Sequence, residues 1–361
     1  MDSIVIWTLR KGGPKPSIVT AAVLLLIGNW VRYGGTRANG GVFGVVMLGQ
    51  ILIGVSQPFV LTAPTRYSDI WFTSRGRTSA TALASLANPF GGALGQLIGP
   101  LLATEPAKIP RMSTVACLPS FFIPSQPPTL SGPASDINRP ALRQRPLDLF
   151  SRLEFWLIFL PFSVFVGLFN SISSLLNQIL QPHGLSETAA GVTGALLILV
   201  GLVAAGICSP FVDRYRHYLA TIKILTPIIA LAYIGFIFAP SSNSVAAPFV
   251  VASILGASSF ALLPVALEYL VEITYPMSPE VSSTICWAGG QLFGAIFILV
   301  GNALKASPKA NPPGHMGRAL VFQAVIASAV VPFPLCLGLF GRDVRPRRWD
   351  AELQHLSRSS S

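Results

Sequence analysis

Six amides and one indole interrupt the apolar stretches of this sequence at spacings that suit a helix. Gln50 and Gln57 are seven residues apart, Asn170 and Asn177 repeat that interval, and Trp287 precedes Gln291 by four. Positions seven apart share nearly the same helix face, and positions four apart lie one turn from each other. Asn88 adds an amide in a further stretch. Such side chains are costly against hydrocarbon, so they should turn toward other helices, where they either hydrogen-bond across an interface or line a wet cavity. For any one amide the interfacial reading is the ordinary one. Several on helices that surround a common centre point to contact with a solute.

The charged residues follow a second pattern. Glu268 and Glu272 are four apart near one end of an apolar run, at the depth expected for Arg66, Arg77 and Lys223. Two readings stand: an inner gate in which these carboxylates pair with basic residues of another bundle, or interfacial snorkelling and pairing within one bundle. Asp213 and Arg214, followed by Arg216, are expected in a short loop between two apolar runs, where an Asp can sit beside a helix N-terminus and stabilise one conformational state. Gly91, Gly95 and Gly99 repeat every fourth residue, which predicts a stripe for close helix packing. The four His fall in loops or at helix ends, and the four Cys lack CxxC spacing and read as small hydrophobes, so no metal site, cofactor site or disulfide framework is expected. No catalytic constellation accompanies them, and the chain does not read as an enzyme.

The elements that must carry these residues are spanning helices. With 52% hydrophobic and 11% charged residues among 361, and a mean hydropathy of +0.61, the chain is far more apolar than a soluble protein of its size. Windows of about 20 mostly apolar residues open near Ser17, Gly40, Arg77, Leu153, Thr188, Tyr218, Ala246, Ser278 and Arg318. A tenth candidate, from Met112 to Pro124, is short and holds Pro119. The net charge of +11 is spread between apolar runs instead of forming a basic face, which argues for topology signals and against a nucleic-acid partner. With the N-terminus inside, 17 of the 25 Lys and Arg fall on inner segments.

Residues 125–152 are rich in Pro and Ser and predict a cytoplasmic linker. That divides the chain into a partial helical bundle over 1–124, a six-helix bundle over 153–340 and a basic cytoplasmic tail over 341–361. Six spans after a central linker suit the second half of a two-bundle transporter. The fold class expected is an all-α polytopic membrane protein with an incomplete N-terminal bundle.

Longer strings carry a resemblance. The Asp213–Arg214 segment is similar to a degenerate copy of the GxxxDR loop motif of the major facilitator superfamily. MLGQILIGVSQPFVLTAPTRYSDIWF (47–72), SLANPFGGALGQLIGP (85–100), SISSLLNQIL (171–180), LLPVALEYLVEITYPMSPEVSS (262–283) and QLFG from Gln291 resemble its feline leukaemia virus subgroup C receptor-related branch. The resemblance implies a two-bundle fold of which this chain begins at about the third of twelve helices. It also implies transport of small organic cations such as choline and ethanolamine; haem export has been ascribed to the family as well. Gln291 matches a family cavity glutamine, whereas Asn170 stands where animal members carry a cavity tyrosine and Pro89 where they carry a second glutamine. The expected function is alternating-access, facilitative carriage of a small organic solute along a path lined by Gln50, Gln57, Asn88, Asn170, Asn177, Trp287 and Gln291. Its expected partners are that solute and the lipid bilayer, in the plasma membrane or an internal one such as the vacuole. The alternative is a truncated membrane protein that transports nothing.

Overall fold

The computed structural model describes residues 4–5, 7–9, 13–38, 41–72, 76–102, 149–242, 244–275, 277 and 279–338. The short segment from Met112 to Pro124, the linker up to residue 148 and the tail over 341–361 lie outside the described residues. The described chain is helical: α1 (Pro14–Arg37), α2 (Phe43–Leu61), α3 (Ala63–Trp71), α4 (Arg77–Leu102), α5 (Leu153–Leu180), α6 (Glu187–Tyr215), α7 (Tyr218–Phe238), α8 (Ala246–Thr274), α9 (Pro279–Ala303), α10 (Gly317–Ala329) and the single turn α11 (Pro332–Leu335).

Among the described residues, eight helical segments are long and apolar enough to cross a membrane, with α2 and α3 counting as one and α10 and α11 as another. The predicted span from Arg77 forms the 26-residue α4 but is not one of the eight. Its Thr78, Ser79, Thr81, Ser85, Asn88 and Gln96 dilute the apolar residues. The last span is broken because Pro332 and Pro334 have no N–H to continue the ladder of α10. The outward faces are as apolar as the interior: Ile207 is 70% exposed, Leu231 65% and Leu299 71%. A helix that is apolar all round belongs in lipid.

Packing is tightest where glycine removes a side chain. Gly201 of α6 and Gly256 of α8 face one another, and a methyl group on Gly256 would overlap the Leu197 carbonyl. Gly167 of α5 lies against Phe293 and Gly294 of α9, and Gly28 of α1 against Gly49 of α2. Gly91 does not pack in this way: a methyl there would meet nothing within 4 Å, and the side-chain surroundings of Gly95 and Gly99 lie outside the described residues. Four-residue spacing sets which positions share a face; it does not say whether a helix lies against that face.

Gly256→Ala, whose new carbon meets immovable backbone, should lower the apparent melting temperature of the detergent-purified protein by roughly 5 °C. Gly91→Ala should leave it unchanged, and equal melting of the two variants would contradict this packing.

Candidate functional site

Two layers define the centre of the molecule. The first closes one end, where α6 terminates and α4 and α9 begin; it is the end assigned to the inner side by the basic residues. The first amides of a helix have no partner within it. Here Asp213, from the last turn of α6, supplies the missing acceptors for α4. Thr78 N–H donates to its Oδ1 at 3.0 Å, and Ser79 N–H donates to Oδ2 at 2.8 Å. The Ser79 hydroxyl donates to the same Oδ2 at 2.6 Å. These amides are the ones an N-cap side chain ordinarily satisfies, and the negative charge also complements the helix dipole.

A line of hydroxyls continues from this cap. Thr78 Oγ1 and the Tyr218 hydroxyl are 3.3 Å apart, and Arg216 Nη1 donates to that hydroxyl at 3.2 Å. Thr81 Oγ1 lies 3.5 Å from Glu268 Oε2 and 2.6 Å from Ser68 Oγ. Thr65 Oγ1 and Ser283 Oγ share a hydrogen bond of 2.8 Å between α3 and α9. Helices before the linker are thereby fastened to helices after it, α4 to α6, α7 and α8, and α3 to α9.

Above this layer lies a cavity of about 620 Å³. Gln50 and Gln57 of α2, Asn88 of α4, Asn170 of α5 and Trp287 and Gln291 of α9 all line it. Phe162, Phe165, Phe169 and Phe260 contribute aromatic rings, and among the described residues no charged side chain lines it. The close approach of α5 and α9 makes one amide contact: Asn170 Nδ2 donates to Gln291 Oε1 at 3.4 Å. Gly294 permits it, because a methyl there would stand 3.2 Å from Asn170 Cβ and Nδ2. Phe162 and Trp287 meet edge to face, with centroids 5.7 Å apart. Among the described residues, no group of three or more His, Cys, Asp or Glu is placed to hold a metal ion.

The structure gathers six of the seven predicted path residues. Asn177 is not among them: it shares a face with Asn170 but lies about 10 Å further along the axis, past the lining residue Ser174, and is exposed. The gate residues divide as well. Asp213 lies within α6, which runs through Tyr215, and not in a loop; Arg216, at φ 58°, ends the helix. Arg214 is exposed, with its guanidinium carbon 5.8 Å from the Tyr215 ring centroid. Arg66 is paired with Asp69 one turn along its own helix at 3.1 Å, not with Glu272. Arg77 opens α4, and its side chain lies outside the described residues. Glu268 and Glu272 are 2% and 1% exposed, too deep to snorkel. The hydroxyls of Thr65, Ser68, Thr78, Ser79, Thr81 and Ser283 were not singled out from sequence. The one available signal was Thr78-Ser79 at the start of an apolar run, a helix-start pattern.

A profile of the Major Facilitator Superfamily matches residues 5–298. The Xenopus tropicalis protein "Solute carrier family 49 member A3" is 30% identical over 335 residues, covering 86% of this chain and 68% of that protein. The Felis catus "Choline/ethanolamine transporter FLVCR1" is 31% identical over 330 residues, covering 84% of this chain and 59% of its own length. Among solved structures, a D-xylose-proton symporter superimposes with a TM-score of 0.71 at 15% identity, covering 96% of this chain and 85% of that one. A Major Facilitator Superfamily transporter, FucP, in the outward conformation, superimposes with a TM-score of 0.65 at 14% identity, covering 92% and 84%.

Replacing Asp213 by Ala should leave the fold intact and loosen the inner end. Loss of a capping acceptor costs roughly 1–2 kcal/mol, enough for about a tenfold change in a two-state population. Cys286, fully buried just above this layer, reports it: its maleimide labelling rate should rise about tenfold in the variant. An unchanged rate would mean that the cap does not hold this end shut.

Proposed function

We propose that this chain, which belongs to the major facilitator superfamily, carries a small organic solute across a membrane by alternating access. The carrying observation is the cavity itself. Amides and aromatic rings from helices on both sides of the linker converge on one space, and that space is shut at one end by contacts that run between the same two sets of helices. Opening those contacts while closing the far end would pass a solute through without exposing polar backbone to lipid. We take residues 1–124 and 153–340 as the two moving bundles, with Asp213, Glu268 and Glu272 at the inner gate.

The lining argues for the solute's chemistry. Among the described residues the walls are uncharged and offer neither a counter-charge for an anion nor a titratable group to carry a proton, which favours facilitative movement of a neutral or cationic solute. A quaternary ammonium group has no N–H to donate and is held by aromatic faces; Phe162, Phe165, Phe169, Phe260 and Trp287 provide rings in the wall. Choline is therefore the first solute to try, in agreement with the name of the cat relative, a choline/ethanolamine transporter. The carrier would act in the plasma membrane or an internal membrane such as the vacuole.

In proteoliposomes, radiolabelled choline should enter with saturable kinetics. Gln291→Ala should abolish the saturable component without reducing the amount of reconstituted protein. Uptake that is unaffected by this substitution would remove Gln291 from the path.

A further inference from the structure

The indole of Trp287 holds a donor with nothing to donate to. Trp287 is 7% exposed and lines the cavity, yet among the described residues no acceptor lies within reach of its Nε1–H. Buried donors of this kind are uncommon in native proteins, because each loses its bond to water and gains none in return. Packing does not require this one. The contact that seats the ring is edge-to-face with Phe162 at 5.7 Å and an interplanar angle of 86°, and a phenyl ring would make the same kind of contact without a stranded donor.

The position of the indole points to what it lacks. Trp287 lies one turn from Gln291 on α9, on the inner side of the Asn170–Gln291 contact, so it stands between the amides and the closed end. A solute moving inward passes the amides first and the indole second. Because Nε1 is covered in the cavity as it stands, its partner arrives only when the ring turns or the inner end begins to rearrange. Its bond therefore forms during the conformational step and favours that step over simple occupancy.

We propose that Trp287 Nε1 is a specificity-determining donor for a neutral oxygen, such as a hydroxyl, ether or carbonyl, on the transported solute, made as the solute is occluded. The oxygen is neutral because, among the described residues, no cationic side chain lines the cavity to hold a carboxylate or phosphate. A site built to satisfy a solute oxygen discriminates against the analogue that lacks it, since the protein's own donor is then left stranded. The inference rests on the transport reading and adds to it a requirement for oxygen.

The test compares choline with ethyltrimethylammonium, which keeps the cationic head and chain and lacks the hydroxyl. In proteoliposomes the unmodified protein should prefer choline in kcat/KM by about tenfold. In Trp287→Phe that ratio should fall to near one, because the ring remains and the N–H is gone. Trp287→Met serves the same comparison if the phenylalanine variant does not fold. Choline uptake with the preference intact in the variant overturns the assignment of Trp287 alone. Absence of uptake of either solute by the unmodified protein overturns the transport reading and this inference with it.

Discussion

Asp213 does for α4 what no residue of α4 can do for itself. The residue before α4 is Gly76, which has no side chain to accept from the unpaired amides at the helix start, and the acceptor comes instead from the end of α6. That single carboxylate joins helices on opposite sides of the linker. The hydroxyl contacts of Thr81 with Glu268 and of Thr65 with Ser283 extend the closure across the rest of the inner end. Each is individually modest, which suits a seam that has to open. The cavity is a consequence of this seam, since its inner boundary exists only while these helices are held together.

The wall after the linker is of a different kind. Glycines 167, 201, 256 and 294 bring α5 against α9 and α6 against α8 at distances where even a methyl would be crowded. Contacts of that closeness do not slide or part easily. They fix Asn170, Trp287 and Gln291 relative to one another as one rigid surface. Gln50 and Gln57 come from α2, and Asn88 from α4, on the other side of the linker. A site assembled from two bodies changes shape when the bodies move, which is the property a carrier needs.

Much of this was legible in the sequence because amides in apolar runs are conspicuous. Gln50, Gln57, Asn88, Asn170 and Gln291 stood out by type, Trp287 by its place one turn from Gln291, and all six reached the cavity. Asn177 did not, since periodicity fixes the face of a helix and says nothing of depth. The seam was the harder part. Serine and threonine are tolerated at many helix positions, where their hydroxyls return to a backbone carbonyl, as Thr274 does to Leu270; which of them reach across to another helix depends on the three-dimensional pairing. The same limit explains the glycines. Gly91, the first position of the four-residue stripe, meets nothing, whereas among the described residues the closest approaches lie at single glycines whose partners are as much as 127 residues away, as with Gly167 and Gly294.

The central claim is that the inner seam opens during each transport cycle. Thr65 and Ser283, whose hydroxyls are 2.8 Å apart across it, allow a direct test. With the four native cysteines replaced, Thr65→Cys and Ser283→Cys together should form a disulfide on oxidation. Solute uptake in proteoliposomes should then stop and return on reduction, while each single variant continues to transport under oxidant. Undiminished uptake by the fully cross-linked protein would contradict the account, because a seam that never parts could not be the gate.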